Sequence, residues 1–522
     1  MEFDATIDNP TPNAAPEKPE TTETPGIFSS DTAKRAARNA TALAASNLAA
    51  KGLLFLWQLL LARLLGTEGY GTYGTIGALL AVGASIPEFG MGLIVIRDIA
   101  NRPKDAGHYL ASTLTLQTVF SVIGYGVLMI AALLLGYDSG LRALLALAAV
   151  NLLVDSLGNM CHNQLLAMER MVIPAIIAAG HIVALVTLAG IILAAGGGLW
   201  GLYIATTIAG LLRAGVYWAV LLRFNIRPSF PVNWEIARAL VINGAPIAAT
   251  SFLSLAYMHS DKLITTALIG EESTGQLMAG FVIVFGVVEL LSVTVMVAVF
   301  PLMSRTYGSG ELAMFDFMIE KLSFFNLILS LPLAVYTSLL AVPLSTWIFG
   351  PDYTRTADVL QVLIWYTVVT MVSNVFSKAM LIQNRQTRLL LIRSGGLVIN
   401  IMLNIILLPI VGIPGAAIAT LIAESVILVL IVRSFAFPAE WWARVTGHLW
   451  RLALISVILA GIVFALREIH PLVAALIGVP MYGALVIVSG TIAKDDWDLI
   501  YRLAMAIPGG HVIGRYWKRE LT

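Results

Sequence analysis

The sequence predicts an all-α polytopic membrane protein with about 14 transmembrane helices, built as two repeat-related six-helix halves plus two extra C-terminal helices. Of its 522 residues, 58% are hydrophobic and only 12% are charged, a composition that excludes an ordinary soluble protein. Apolar runs of about twenty residues, enough for a helix to span a bilayer, follow one another almost end to end. Because backbone polar groups in lipid must be satisfied internally, these runs predict a helical bundle.

An internal repeat divides the chain into two halves. The turn motif GTEGYG at residues 66–71 returns as GEESTG at residues 270–275, which pairs Gly66 with Gly270 and Gly71 with Gly275. A second match aligns GLWGLYIATTIA at residues 198–209 with GIPGAAIATLIA at residues 412–423. Two such matches in the same order predict homologous halves.

Residues 1–32 are rich in Pro, Thr and Glu and predict a disordered cytoplasmic tail. Residues 33–228 form the first half with spans 1–6, residues 229–438 the second half with spans 7–12, and residues 439–522 hold spans 13 and 14 and a basic cytoplasmic tail. The tail begins at Lys494. The fourteen spans are predicted near 39–65, 71–97, 108–136, 141–168, 172–195, 199–222, 239–269, 275–303, 321–348, 357–383, 388–410, 413–433, 449–467 and 471–493.

The basic residues set the predicted orientation. With fourteen spans, 24 of the 32 Lys and Arg residues fall on the side that holds both termini, whereas only Arg142, Arg355 and Arg467 fall in loops on the other side. Basic residues concentrate in cytoplasmic loops, so both termini are predicted to be cytoplasmic. The net charge of +1 gives no indication of a nucleic-acid partner.

The matched turns, the fourteen spans and the two six-helix halves resemble the MOP flippase superfamily. LARLLGTEGYGTYG is similar to the opening signature of its polysaccharide-biosynthesis branch, which exports lipid-linked O-antigen or teichoic-acid-type precursors, and IPGAAIAT is similar to that branch's twelfth helix. The resemblance covers roughly residues 33–440. It implies two six-helix lobes around a central cavity, with the last two helices peripheral.

The resemblance implies a flippase of the cytoplasmic (inner) membrane that moves a polyprenyl-(pyro)phosphate-linked oligosaccharide by alternating access. Its partners would be that lipid-linked oligosaccharide, membrane lipids and other polysaccharide-assembly membrane proteins. The sequence contains no ATP-binding motif, so we expect no cofactor beyond a coupling Na⁺ or H⁺. Two related alternatives are a lipid II flippase and a MATE-type cation-coupled drug antiporter. A glycan polymerase or ligase, an enzyme, would need a large outward loop, and the predicted outward loops are short.

Charged residues inside a membrane are costly unless they face water or a partner, so each is a candidate for function. We predict that five basic side chains line the substrate cavity. Lys51 and Lys262 lie in the helices that begin the two repeats. We expect both to bind the pyrophosphate, although Lys262 could instead neutralise Asp261 or Glu289. For the other three, snorkelling or a local ion pair is the competing interpretation. The five residues are Lys51, Lys262, Arg63, Arg213 and Lys378.

The acidic residues within the predicted spans are candidates for ion coupling. Glu88 follows Pro87, which is expected to kink the second span and open a small polar pocket, and Glu88 could act in a hinge, in coupling or as a partner of Lys51. Asp155 and the remaining carboxylates could form a cation or proton site or pair with polar neighbours. The coupling or hinge set is Pro87, Glu88, Asp261, Glu289 and Glu424; no metal ligand set and no catalytic residue is predicted.

The predicted topology can be checked with reporter fusions. Fusions at Gly197, Pro351 and Pro414 should report the outside, because these residues lie in loops poor in Lys and Arg. Fusions in the basic loops should report the cytoplasm, and suitable sites are Lys104, Pro228 and Arg388. An exchange of any site between the two groups would contradict the number of spans.

Overall fold

The computed structural model describes residues 30–468 and 471–491, and within these ranges every regular element is a helix. The predicted tail up to residue 29 and the segment from Lys494 lie outside the described residues. The helices are α1 (Ser30–Glu88), α2 (Met91–Asn101), α3 (Ala106–Leu134), α4 (Ser139–Ala148), α5 (Asn151–Ala167), α6 (Val172–Ala194), α7 (Gly198–Arg223), α8 (Trp234–Ile269), α9 (Glu271–Val288), α10 (Thr294–Gly308), α11 (Leu312–Leu339), α12 (Ala341–Phe349), α13 (Thr356–Ile382), α14 (Gln386–Val411), α15 (Ile413–Val432), α16 (Ala439–Leu466) and α17 (Pro471–Val488).

Twelve helical segments of the described residues are long and apolar enough to cross a membrane. The first, Lys51–Asn101, is 51 residues long and contains a break at Gly66, where the sequence predicts the turn between spans 1 and 2. A shorter apolar helix, Leu476–Val488, coincides with the fourteenth predicted span. The predicted all-α membrane fold is therefore confirmed, and the predicted count of about 14 spans agrees with these segments once the first is divided at its break.

The two repeated turns have the same backbone geometry. Gly66 has φ 67° and ψ −178°, and Gly270 has φ 92° and ψ 174°. Side chains with a Cβ rarely adopt a positive φ with an extended ψ, so glycine is required at both positions. The pairing of Gly66 with Gly270 predicted from the repeat is thus supported by the backbone.

The two turns also contact each other directly. A Cβ on Gly71 would lie 1.7 Å from the carbonyl oxygen of Glu271, and a Cβ on Gly275 would lie 1.8 Å from that of Thr67. The contact is reciprocal, as expected for equivalent segments related by a pseudo-two-fold axis. Only glycine permits backbones to approach this closely. We call the end of the bundle that holds this contact the glycine end.

Hydrogen bonds between the two halves surround the glycine contact. The Tyr353 hydroxyl donates to the carbonyl of Ala62 at 2.7 Å, and the Tyr137 hydroxyl donates to that of Leu263 at 3.1 Å. Both tyrosines are buried, so their hydroxyl groups need a partner inside the protein. The first and second halves are therefore joined at the glycine end.

Helix α8 belongs to both halves. Its first part is packed against the first half, where Leu240 joins the apolar cluster around Met91 and Leu165, and a Cβ on Gly244 would lie 2.4 Å from the carbonyl oxygen of Phe89. Its last part hydrogen-bonds to helices α14 and α15 of the second half. Motion between the halves would therefore act on α8.

The two C-terminal helices pack against α11 in a separate apolar cluster. Two tyrosines fasten them there: the Tyr336 hydroxyl donates to the carbonyl of Ala474 at 3.2 Å, and the Tyr482 hydroxyl donates to that of Ile328 at 3.0 Å. Their position agrees with the expectation that they lie outside the repeated core.

The sequence predicts that Pro87 kinks one continuous helix, whereas in the structure the helix ends beside it. Helix α1 ends one residue later at Glu88, and the chain turns through Phe89 (φ 41°) and Gly90 (φ 67°) before α2 begins. Proline cannot supply the backbone hydrogen bond that a continuing helix needs. The result is a helix break, and Pro87 and Glu88 line a small polar cavity beside it.

We predict that Gly71→Ala lowers the free energy of unfolding, because the added Cβ meets backbone that cannot move aside. Overpacking of this kind costs about 1–3 kcal/mol. Gly77→Ala is the matched control, since it lies in the same helix with open space around its Cβ position and should be neutral or stabilising by about 0.5–1 kcal/mol. Unfolding of the purified protein in detergent measures both, and equal effects of the two variants would contradict the close contact.

Candidate functional site

Four helices of the second half turn polar faces toward one another. On each helix the polar residues are spaced by four or seven positions, which places them on a single face. Such faces are costly in a membrane unless they meet partners or water. The residues are Tyr257 and Asp261 on α8, Tyr366, Thr370 and Asn374 on α13, Arg393, Asn400 and Asn404 on α14, and Thr420 and Glu424 on α15.

Asp261 is the centre of the deeper part of this cluster. Its carboxylate accepts hydrogen bonds from the Asn404 side-chain amide at 2.6 Å and from the Thr420 hydroxyl at 2.8 Å, and the residue is buried. The Oδ1 atom of Asn404 is also buried and has no hydrogen-bond partner among the described residues. The site thus concentrates oxygen atoms around a buried carboxylate, an arrangement suited to a hard cation or a proton.

Glu424 lies on the next turn of α15 and is fully buried. Its carboxylate accepts hydrogen bonds from the Tyr257 hydroxyl at 2.9 Å and from the Thr370 hydroxyl at 3.5 Å. The Arg393 guanidinium is 3.9 Å away and also donates to the hydroxyl of Ser377 at 3.1 Å. Burial of the carboxylate is therefore compensated by donors on three neighbouring helices.

A cavity of about 530 Å³ lies beside these groups. Its lining includes Tyr257, Asp261, Glu289, Arg393 and Thr420. Its size is in the range of small-molecule binding sites. The described lining includes none of the five basic residues predicted for the substrate cavity, and its basic side chain is Arg393.

Lys51 reaches this cavity through an ion pair. Its ammonium contacts the carboxylate of Glu289, which begins a π-helical segment, Glu289–Val293, between α9 and α10. π-Helical turns occur often at functional sites. The pair joins the two halves, and both side chains stay about half exposed (58% and 41%). Lys51 therefore pairs with Glu289, and the alternative of a pair with Glu88 is not what the structure has.

The remaining basic candidates have different surroundings. Lys262 follows Asp261 in the chain, and its ammonium lies 3.5 Å from Nδ1 of His259. Arg63 donates to the carbonyls of Trp347 and Ile348, the latter at 2.7 Å, in the last turn of α12, where a cation complements the helix dipole. Arg63 thus helps to join the halves at the glycine end.

Arg213 and Lys378 do not lie with the other cations. Arg213 donates to the carboxylate of Asp155 at 2.8 Å and packs over Gly158, where a Cβ would lie 3.0 Å from its guanidinium. Lys378 is exposed, and its ammonium lies 6.0 Å from the centre of the Phe300 ring. Local pairing, one of the two interpretations of the sequence, describes Arg213.

Two parts of the site are absent from the sequence prediction. Arg393, Asn400 and Asn404 are not among the candidates that the sequence predicts. Their common spacing with Arg393 (seven and four residues) was the signal that could have identified them, because it marks one helix face. The spacing does not show, however, that this face packs against Asp261 and Glu424.

A family model described as "Polysaccharide biosynthesis protein" matches residues 36–307, more than half of the chain. A second model, MatE, matches residues 246–406. A comparison with curated proteins finds no match.

Three solved structures share the fold. The inward closed conformation of the lipid II flippase MurJ has a TM-score of 0.72 and 15% identity over 88% of this chain and 99% of that chain. The inward-facing conformation of a multidrug resistance MATE family transporter of the MOP superfamily has a TM-score of 0.59 and 14% identity, over 76% and 94%. A MOP superfamily transporter from Pyrococcus furiosus has a TM-score of 0.52 and 14% identity, over 78% and 94%.

Fold and family matches together define a multi-pass membrane protein of the MOP flippase superfamily. Within it, the chain belongs to the polysaccharide biosynthesis protein family. The resemblance drawn from the two sequence motifs is thereby confirmed.

We predict that Tyr257→Phe lowers the free energy of unfolding by about 1.5–3 kcal/mol, because it removes a hydrogen bond to a fully buried carboxylate. Tyr125→Phe on α3 makes the same chemical change at an exposed site and should have an effect within about 0.5 kcal/mol. Denaturant unfolding in detergent compares the two. Equal effects would mean that Glu424 does not depend on the Tyr257 hydroxyl.

Proposed function

We propose that the protein is a flippase that translocates a polyprenyl-(pyro)phosphate-linked oligosaccharide across the cytoplasmic membrane for cell-surface polysaccharide synthesis. The observation that carries this proposal is the match of residues 36–307 to the polysaccharide biosynthesis protein family. The likeness of the fold to a flippase of lipid II supports an amphiphilic substrate. In this proposal the protein is a carrier and not an enzyme.

Basic groups near the second-half cavity support an anionic head group. Arg393 lines that cavity, Lys51 reaches it through Glu289, and Lys262 lies beside Asp261. A phosphate oxygen pairs strongly with a desolvated ammonium or guanidinium. Because Glu289 keeps Lys51 near the cavity while both side chains stay half exposed, a pyrophosphate could exchange for Glu289 as the partner of Lys51.

Alternating access would follow from the way the halves are joined. They meet backbone to backbone at the glycine end, so in this state we expect the substrate to enter from the opposite end, where the first part of α8 packs on the first half. Transport to the other side then requires Gly71 and Gly275 to separate, and equivalent points on two repeat-related halves suit a rocking motion. With both termini in the cytoplasm, as the basic residues predict, the glycine end would face outward.

Coupling to an ion is assigned to the Asp261 site. Its buried carboxylate, the unpartnered Oδ1 of Asn404 and the Thr420 hydroxyl form an oxygen-rich group to which Na⁺ or H⁺ could bind. Helix α8 carries Asp261 at one end and packs on the first half at the other, so ion binding would bear on the position of the halves. Glu289 lines the same cavity as Asp261, and Glu424 lies one helical turn beyond Thr420 on α15.

One second candidate has a specific observation in its favour. The MatE match over residues 246–406 covers α8 with Asp261 and most of α14 with Arg393, Asn400 and Asn404, which fits a cation-coupled drug antiporter. An arginine in the cavity lining makes a cationic drug the less suitable substrate.

The proposal is tested with the purified full-length protein in liposomes. We expect it to move a fluorescent polyprenyl diphosphate that carries one sugar between leaflets, measured by quenching with a membrane-impermeant reductant. Lys51→Gln and Lys262→Gln should each lower the rate at least about tenfold, and Arg should preserve more activity than Gln, because phosphate requires the charge. Lys104→Gln, in a predicted cytoplasmic loop, is the matched control.

The same assay separates the alternatives. Transport of a lipophilic cation without transport of the glycolipid would establish the antiporter in place of the flippase. Full activity of Lys51→Gln combined with Glu289→Gln would mean that Lys51 only neutralises Glu289. A sodium or proton gradient should accelerate the wild type, and Asp261→Asn should abolish that acceleration while the exposed control Asp358→Asn keeps it. Gradient dependence that survives Asp261→Asn would place coupling elsewhere.

A further inference from the structure

A second polar cavity, in the first half, is left unused by the proposed phosphate and ion sites. It has a volume of about 70 Å³ and lies between the end of α1, the middle of α3 and the length of α5. Most of its polar groups are neutral carboxamides. They are Gln117 on α3 and Asn151, Asn159 and Asn163 on α5, joined by the carboxylates of Glu88 and Asp155.

The α5 residues form a regular stripe. Asn151, Asp155, Asn159 and Asn163 recur every fourth residue, so they lie along one face of the helix. Four polar residues in a row on an intramembrane helix are costly unless that face meets water, a partner or a ligand. Asp155 and Asn159 are exposed, so this face is accessible to water or to a ligand.

Protein partners satisfy only part of this stripe. Asp155 pairs with Arg213 at 2.8 Å, and the Asn151 amide donates to the Thr206 hydroxyl at 3.5 Å. Asn159 and Asn163 make no side-chain hydrogen bond to any described residue. Gln117 is 4% exposed, and its Oε1 is buried without a partner among the described residues. A buried amide oxygen that lines a cavity and lacks a partner points to a ligand that donates a hydrogen bond there.

The charges decide which ligand fits. Glu88 and Asp155 would repel a phosphate, and the cation beside them, Arg213, is already paired with Asp155. The carboxylates here also differ from that of Asp261, because Asp155 is already paired with Arg213 and Glu88 is exposed, so neither is a buried charge that a cation would neutralise. Carboxamides both donate and accept hydrogen bonds, and carboxylates accept them. This set matches groups that also donate and accept, which are the hydroxyl and acetamido groups of a sugar.

The volume limits how much of a sugar can enter. A water molecule occupies about 30 Å³ of liquid, so about 70 Å³ holds two or three hydroxyl-sized groups and not a whole ring. The cavity would therefore contact one edge of one sugar. Glu88 and Asn159 are exposed at its margin, where the rest of the ring would remain outside.

We propose that this first-half cavity, lined by Gln117, Glu88 and the α5 stripe, binds the hydroxyl edge of the sugar attached to the diphosphate and sets the glycan specificity of the protein. The proposal rests on the proposed flippase function and assigns the sugar and the phosphate to different groups. A site that hydrogen-bonds a hydroxyl discriminates strongly against a ligand without it, because its own polar groups are then left unpaired.

The test compares affinities of the purified full-length protein in detergent for farnesyl diphosphate and for the same carrier bearing glucose, galactose, N-acetylglucosamine or N-acetylgalactosamine. The wild type should bind at least one sugar-bearing carrier about tenfold or more tightly than the sugar-free one. Gln117→Met should reduce that ratio to within about threefold of unity. Asn159→Ala, at the exposed margin, should reduce it as well and provides a second variant should Gln117→Met fail to fold.

Gln164→Met is the matched control. Gln164 lies on α5, is fully buried with both amide atoms unpartnered among the described residues, and is absent from the described lining of the cavity. It should keep the wild-type ratio. A ratio that falls equally in Gln164→Met would overturn the proposal, because the effect would then come from the fold and not from the cavity.

Three further outcomes separate this inference from the proposed function and from ion coupling. If the sugar-free carrier binds and no sugar improves its affinity more than about threefold, the specificity site is wrong while the flippase proposal stands. If no polyprenyl diphosphate binds, the proposed function fails and the sugar site falls with it. If Gln117→Met or Asn159→Ala changes the dependence of transport on a sodium or proton gradient but leaves the affinity ratio unchanged, the sugar site is wrong and the cavity serves coupling.

Discussion

The approach of Gly71 to Gly275 at backbone distance is the contact on which the arrangement of the two halves depends. No side chain separates the helices there, so the carbonyls of Thr67 and Glu271 lie where a Cβ would otherwise project. The hydrogen bonds of Tyr353 and Tyr137, and that of Arg63 to the last turn of α12, all lie around this point. The halves also touch through the Lys51–Glu289 pair and through the first part of α8, so relative motion of the halves would act on these contacts as well.

The cavities of the two halves differ in their charged groups, and we expect them to bind different parts of the substrate. The second half has a large cavity with Arg393, two buried carboxylates and the hydroxyl groups that satisfy them. The first half has a small cavity dominated by carboxamides, and its Asp155 carboxylate is paired with Arg213. In the proposed function, the same helical scaffold provides one site for ions and phosphate and another for the hydroxyl groups of a sugar, because the membrane makes each polar group costly without a partner.

Helix α8 links these features mechanically. Its first turns are packed in the apolar cluster of the first half, while Asp261 near its other end is hydrogen-bonded to α14 and α15. An element shared by two halves responds to events in either one. In the proposed mechanism, ion binding at Asp261 and opening at the glycine end act on the same helix, so a separate coupling device is not required.

The sequence by itself determined the membrane class, the all-α fold and the equivalence of the turns at Gly66 and Gly270. These follow from local constraints: length and apolarity of each run, and a backbone angle open only to glycine. It also marked the buried carboxylates Asp261 and Glu424, since each is conspicuous in an apolar run. Only the tertiary structure decided their partners. That Lys51 meets Glu289 and not Glu88, that Arg393 faces Glu424, and that Gln117 opposes the α5 stripe depend on how distant helices pack, and spacing along one helix carries no information about the face of another.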